Sequence, residues 1–243
     1  MFFEGTFFYL YPMRTYRFIG VILLLASCAP SRFVEPLDKN QWAVGANVGG
    51  PMIGFGGAVI PVPLTAIEVG YGIDTNLTVH GGLHTTALLF GNIQLDAGAT
   101  YQFIEQRRFI PNVSVNPGFN LTTDVSNVDA NDVRTKFWPT LDVNAYWNYG
   151  QRRNYFYAGF NNYFELSKTM ANDQAQAHPW LFSPQIGHIT KGKNRSWELT
   201  TELKFLAPNV QNTYAFVPYR SILGKYGATG VYLGFRKIIS QKK

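Results

Sequence analysis

The chain has 243 residues, 15% of them charged and 16% aromatic, with 23 glycines, one cysteine and a net charge of +6. So few charges among so many aromatic residues and glycines exclude a disordered chain and an ordinary helical enzyme, and suit an all-β protein with an apolar surface. The positive charge forms no run of five or more, so no basic stripe supports nucleic-acid binding, and a single cysteine excludes an internal disulfide.

In chain order, residues 1–12 are aromatic, contain Glu4 and carry no base, which makes Met13 a candidate for the true start. Arg14 and Arg17 then precede an apolar core, Phe18–Leu25, followed by the small residues Ala26 and Ser27 before Cys28. This is the layout of a secretory signal peptide, with a core too short to span a bilayer. Leu25-Ala26-Ser27-Cys28 resembles the bacterial lipobox. The resemblance implies cleavage before Cys28, acylation of its thiol and amine, and export by the lipoprotein machinery. Ala29 stands where an aspartate would imply inner-membrane retention. The expected organisation is a signal peptide at 1–27, a lipidated tether at 28–40 and a barrel at 41–243.

Beyond the tether the sequence alternates with period two, the strand period. Phe137, Pro139, Leu141, Val143, Ala145 and Trp147 fall on one face, and Trp138, Thr140, Asp142, Asn144 and Tyr146 on the other. The segments around 93–103, 156–166 and 197–205 repeat the pattern. The polar face is rich in Gly, Asn, Thr and Tyr and poor in Lys, unlike a solvated face. Ten strands are predicted, at 42–49, 58–72, 77–84, 92–104, 109–121, 136–148, 155–167, 179–190, 196–207 and 226–239, with eight or twelve as alternatives. Short turns at 74–76, 106–108, 150–153 and 191–194 alternate with long connections at 122–135, 168–178 and 208–225, the outer-membrane arrangement of periplasmic turns and external loops. Both chain ends then fall on the periplasmic side. Basic residues such as Arg107, Arg108, Arg152 and Arg153 occupy the short turns, where anionic headgroups would attract them.

This body resembles small bacterial outer-membrane β-barrels, through glycine–aromatic strands such as Val69-Gly70-Tyr71-Gly72. The resemblance implies an antiparallel up-and-down barrel in the outer membrane, inserted by the barrel assembly machinery. Two departures stand out. Phe235 is followed by a basic tail rather than ending the chain, and Pro111, Pro117, Pro139 and Pro184 sit inside predicted strands, where bulges are expected.

The inward face carries Glu68, Asp96, Asp142, Glu198 and Glu202, with Lys204 and Arg236 as partners. A barrel this narrow is filled by its own side chains, so a packed polar network is expected, with Glu198 paired to Arg236 near the periplasmic rim. His80, His84 and Asp96 are the nearest approach to a metal or catalytic set, but they match no spacing motif, and no serine is fixed as a nucleophile. No cofactor, metal or catalytic residue is assigned. Asn209, Asn212, Tyr214, Phe216 and Tyr219 form a candidate external patch for a ligand. The reading is a lipid-anchored envelope barrel with a structural, adhesive or ligand-binding role. The alternatives are a barrel enzyme acting on lipid or peptide, and a narrow cation-preferring pore.

Overall fold

The computed structural model describes residues 29–125, 135–168, 175–212 and 218–240. Residues 1–28, which hold the expected signal peptide and Cys28, lie outside the described residues. Eleven strands are found among the described residues. They are β1 (Gln41–Phe55), β2 (Ala58–Pro61), β3 (Leu64–Asp74), β4 (Leu77–Leu83), β5 (Asn92–Ile104), β6 (Asn112–Asp124), β7 (Thr135–Tyr149), β8 (Asn154–Phe164), β9 (Trp180–Lys191), β10 (Trp197–Gln211) and β11 (Tyr226–Ser240). Every neighbouring pair is antiparallel, and β11 pairs with β1, so ten strands close into a barrel. β2 stands outside the closed ring: it pairs only with the far end of β1, from Met52↔Pro61 to Phe55↔Ala58, around a turn at Gly56 and Gly57. This extension divides the single strand predicted at 58–72 into β2 and β3.

The alternation follows from the burial of one face. Along β7, Trp138, Asp142, Asn144 and Tyr146 are buried, while Phe137 and Trp147 are 45% and 40% exposed. Along β3, Glu68 is buried between the exposed Ile67 and Val69. The barrel is apolar outside and polar inside, the reverse of a water-soluble domain. Closure leaves the ten ring strands without an unpaired edge, as a hydrocarbon environment requires.

The prolines disturb the ladder less than expected. Pro117 and Pro139 lie in an unbroken β6–β7 register, Pro111 precedes β6, and β6 begins three residues later than predicted. Pro184 lies in an unbroken β8–β9 register opposite Phe160, and the β9–β10 ladder ends next to it at Gln185↔Lys204. The register shifts lie elsewhere, between Gly72 and Asp74, between Gln102 and Ile104, and between Leu206 and Gln211.

The short connections, at 75–76, 105–111, 150–153 and 192–196, share one end of the barrel with the start of β1 and the end of β11. Arg108, Arg153 and Asn194 adopt positive φ there, which tightens these turns. The opposite end carries the longer loops and a one-turn helix, α1 (Thr85–Leu88).

Candidate functional site

The segment expected to be a tether lies inside the barrel. From Asn40, whose amide donates to the Gly72 carbonyl (2.9 Å) at the short-turn end, the chain read backwards climbs the lumen to Ala29. It forms no strand, and from Leu37 to Ala29 the wall bonds it with side chains. The Thr78 hydroxyl accepts from the Leu37 amide (2.7 Å), and the Ser114 hydroxyl donates to the Val34 carbonyl (2.7 Å). The Asn116 amide donates to the Arg32 carbonyl (3.2 Å), and Glu202 accepts from the Ser31 amide (2.9 Å). Lys204 reaches the Ala29 carbonyl (2.9 Å), and Glu35 is ion-paired to Lys191.

The geometry of the wall explains how this segment fits. Strand register puts Asp96, Gly82, Glu68, Gly45, Arg236, Glu198 and Lys191 in one row across β5, β4, β3, β1, β11, β10 and β9. Glycine alternates with charge at two places, and each gap lets long side chains meet. Over Gly45, Arg236 bonds Glu68 (2.9 Å); a Cβ there would lie 2.9 Å from Glu68 Oε1. Over Gly82 sits the Arg32 guanidinium, which binds Asp96 through two nitrogens (3.0 and 2.7 Å) and Glu68 through a third (2.6 Å). Arg236 also bonds Glu198 (2.8 Å), and Lys191 lies 3.6 Å from Glu198. The result is a girdle of alternating charge whose bonds are in the short, charge-assisted range. Arg32 supplies the cation between Glu68 and Asp96.

Phe33 packs beside the girdle and is fully buried. Its ring fills the space opposite Gly70, where a Cβ would come within 2.3 Å of the ring. Arg236 lies 3.9 Å from the ring centroid, and His80 stacks on it at 5.3 Å. Val34 packs with Tyr146, Tyr155, Tyr157 and Ile189.

All seven inward charges singled out in the sequence face the lumen, but they are not one cluster. Glu68, Asp96, Glu198 and Arg236 form the girdle, and Glu198 meets Arg236 at the short-turn end. Glu202 and Lys204, 3.4 Å apart, hold the upper part of the segment. Asp142 is bonded to Asn161 nearby. A cavity of about 50 Å³ remains there, lined by Ala29, Pro30, Asp142, Asn161 and Lys204 among others. It has room for one or two waters.

His84 bonds Asp96 (2.9 Å), whereas His80 faces Asn116 (3.2 Å), so the two histidines do not converge. No group of three or more His, Cys, Asp or Glu side chains able to hold a metal ion occurs among the described residues. In the external patch, Asn212 donates to the Gly227 carbonyl (2.6 Å), while Tyr214 and Phe216 lie outside the described residues.

Sequence reasoning missed Arg32, Phe33, Ser114 and Asn116. The available signal was an imbalance: five inward carboxylates against Lys204 and Arg236 leave cations to be found elsewhere.

A closed antiparallel barrel with this polarity is built like those of bacterial outer membranes. No protein-family model and no curated protein sequence matches the chain. Among solved structures it is similar to the translocator domain of the autotransporter NalP from Neisseria meningitidis, with TM-score 0.47 and 7% identity over 84% of this chain and 90% of that one. It is also similar to the outer membrane protein OprG of Pseudomonas aeruginosa (TM-score 0.31, 9% identity, 85% and 99% covered). A third is the KdgM porin (TM-score 0.35, 10% identity, 81% and 98% covered). The likeness is one of barrel architecture.

Proposed function

We propose that this protein is a resident of the bacterial outer membrane whose lumen is closed by its own N-terminal segment, with a structural, adhesive or ligand-binding role in the envelope. The observation that carries this is Arg32, clamped between Glu68 and Asp96 inside the barrel. An enzyme acting within the lumen is disfavoured, because the one histidine–carboxylate pair among the described residues, His84 and Asp96, shares its carboxylate with Arg32.

The lipobox-like Leu25–Cys28 supports a second reading. A lipid on Cys28 would begin one residue from Ala29, whose carbonyl is bonded to Lys204 inside the lumen. Anchoring in the leaflet at the short-turn end therefore requires residues 29–38 to leave the lumen, so that anchor and plug exclude one another. Reconstitution in planar bilayers, with the mass of the mature N-terminal peptide measured on the same preparation, tests both. The closed reading expects silent bilayers and an unacylated N-terminus. Steady conductance from a preparation carrying acyl groups on Cys28 would replace it with the anchored, open form.

A further inference from the structure

We propose that Ala29–Asp38 is a detachable ligand of the lumen, and that the channel it vacates conducts cations past a binding site formed by Glu68 and Asp96. The inference rests on the plugged reading above and goes beyond it, because a lumen can be closed permanently.

Three observations make the segment separable. First, the barrel does not need it. The ring closes through β1 and β11, so the backbone groups of the ten strands are paired within the wall. Second, the segment contributes no strand, and from Ala29 to Leu37 the wall's hydrogen bonds to it come from side chains, whose polar contacts water can replace. Third, the girdle keeps partners without Arg32. Glu68 retains Arg236, Glu198 retains Arg236 and Lys191, and Glu202 retains Lys204. Asp96 retains His84 alone.

The same contacts define what the wall recognises. An acid pair takes a guanidinium, a glycine floor at Gly70 takes the next residue's ring, and Ser114, Asn116 and Thr78 take the main chain. The ligand class is an extended peptide with adjacent arginine and aromatic residues. Once it leaves, the wall presents Glu68, Asp96, Asp142, Glu198 and Glu202 against Lys191, Lys204 and Arg236, an excess of carboxylates that favours cations. The excess is concentrated at Asp96 and Glu68, where the arginine was.

The test uses the full-length protein, a full-length Arg32→Ala/Phe33→Ala variant and a variant lacking residues 29–39, all in planar bilayers under a potassium chloride gradient. The wild type should be silent. Both variants should conduct, with a reversal potential on the cation side. A synthetic peptide of sequence Ala-Pro-Ser-Arg-Phe-Val-Glu-Pro-Leu-Asp should close the deletion variant. The same peptide with alanine for arginine and phenylalanine should need about a hundredfold higher concentration. Folded variants that stay silent, or that prefer anions, would overturn the proposal, as would equal block by the two peptides. If the deletion variant does not fold, the full-length double variant decides. A conducting wild type would instead remove the plugged reading itself.

Discussion

The two halves of the lumen hold the same segment in different ways. In the half nearer the short turns, side chains of the segment enter prepared places: Arg32 over Gly82, Phe33 against Gly70, and Val34 among Tyr146, Tyr155 and Tyr157. In the upper half the wall's hydrogen bonds go to main chain, with Glu202 on the Ser31 amide and Lys204 on the Ala29 carbonyl, beside a small cavity. Side-chain pockets distinguish one sequence from another, whereas main-chain contacts accept almost any. The lower half therefore carries recognition and the upper half mainly occupancy.

The sharpest way to break this comparison is Arg32→Ala. It leaves Asp96 with only His84 and removes one of the two cations on Glu68. Removing one partner of a buried pair costs about 3–5 kcal/mol. Hydrogen exchange reads the effect directly, because the Ser31 and Leu37 amides are protected by Glu202 and Thr78. Both should lose protection together, while amides of the β1–β11 ladder keep theirs. Unchanged protection at Leu37 would mean that the lower half is not held by its charges.

A smaller effect is expected from Gly70→Ala. The added methyl would lie 2.3 Å from the Phe33 ring, and the ring is enclosed by Arg236 and His80. Overpacking of this kind costs about 1–3 kcal/mol. Combining it with Phe33→Ala should cancel most of the added cost in a double-mutant cycle read by the same amide exchange. Additive losses would show that the ring does not sit on Gly70.

These two sites also show what the sequence made legible. Period two fixed the faces, so Glu68, Asp96 and Arg236 could be placed inward without coordinates, and alternating turn lengths located both ends of the barrel. The girdle was not legible. Its row depends on register across seven strands, and a shift of one residue would take Gly45 and Gly82 out from between their charged neighbours. The plug was hidden for another reason. Ala29–Asn40 has no periodicity and two prolines, and reads as a linker, because its fit is dictated by the wall and not by its own pattern. The split of the predicted second strand at Pro61–Pro63 is similar: the apolar run continues across it, but the chain pairs back on β1 before it and joins the ring only after it.

The smallest effect is expected in the upper half, from Asp142→Asn. Asp142 accepts from the Asn161 amide and borders the cavity. The replacement keeps an oxygen to accept that bond and removes only charge, in a region with space for water. The expected change is below about 1 kcal/mol in thermal stability and in protection at Ser31. The same substitution does reach the vacated lumen, because it removes one of five carboxylates from the wall. In the variant lacking residues 29–39 it should reduce cation preference slightly, and by less than Asp96→Asn, since Asp96 loses a direct partner when the segment leaves and Asp142 does not. Equal effects of the two substitutions on reversal potential would show that the lumen acts through its total charge. A larger effect at Asp96 would locate selectivity in the girdle.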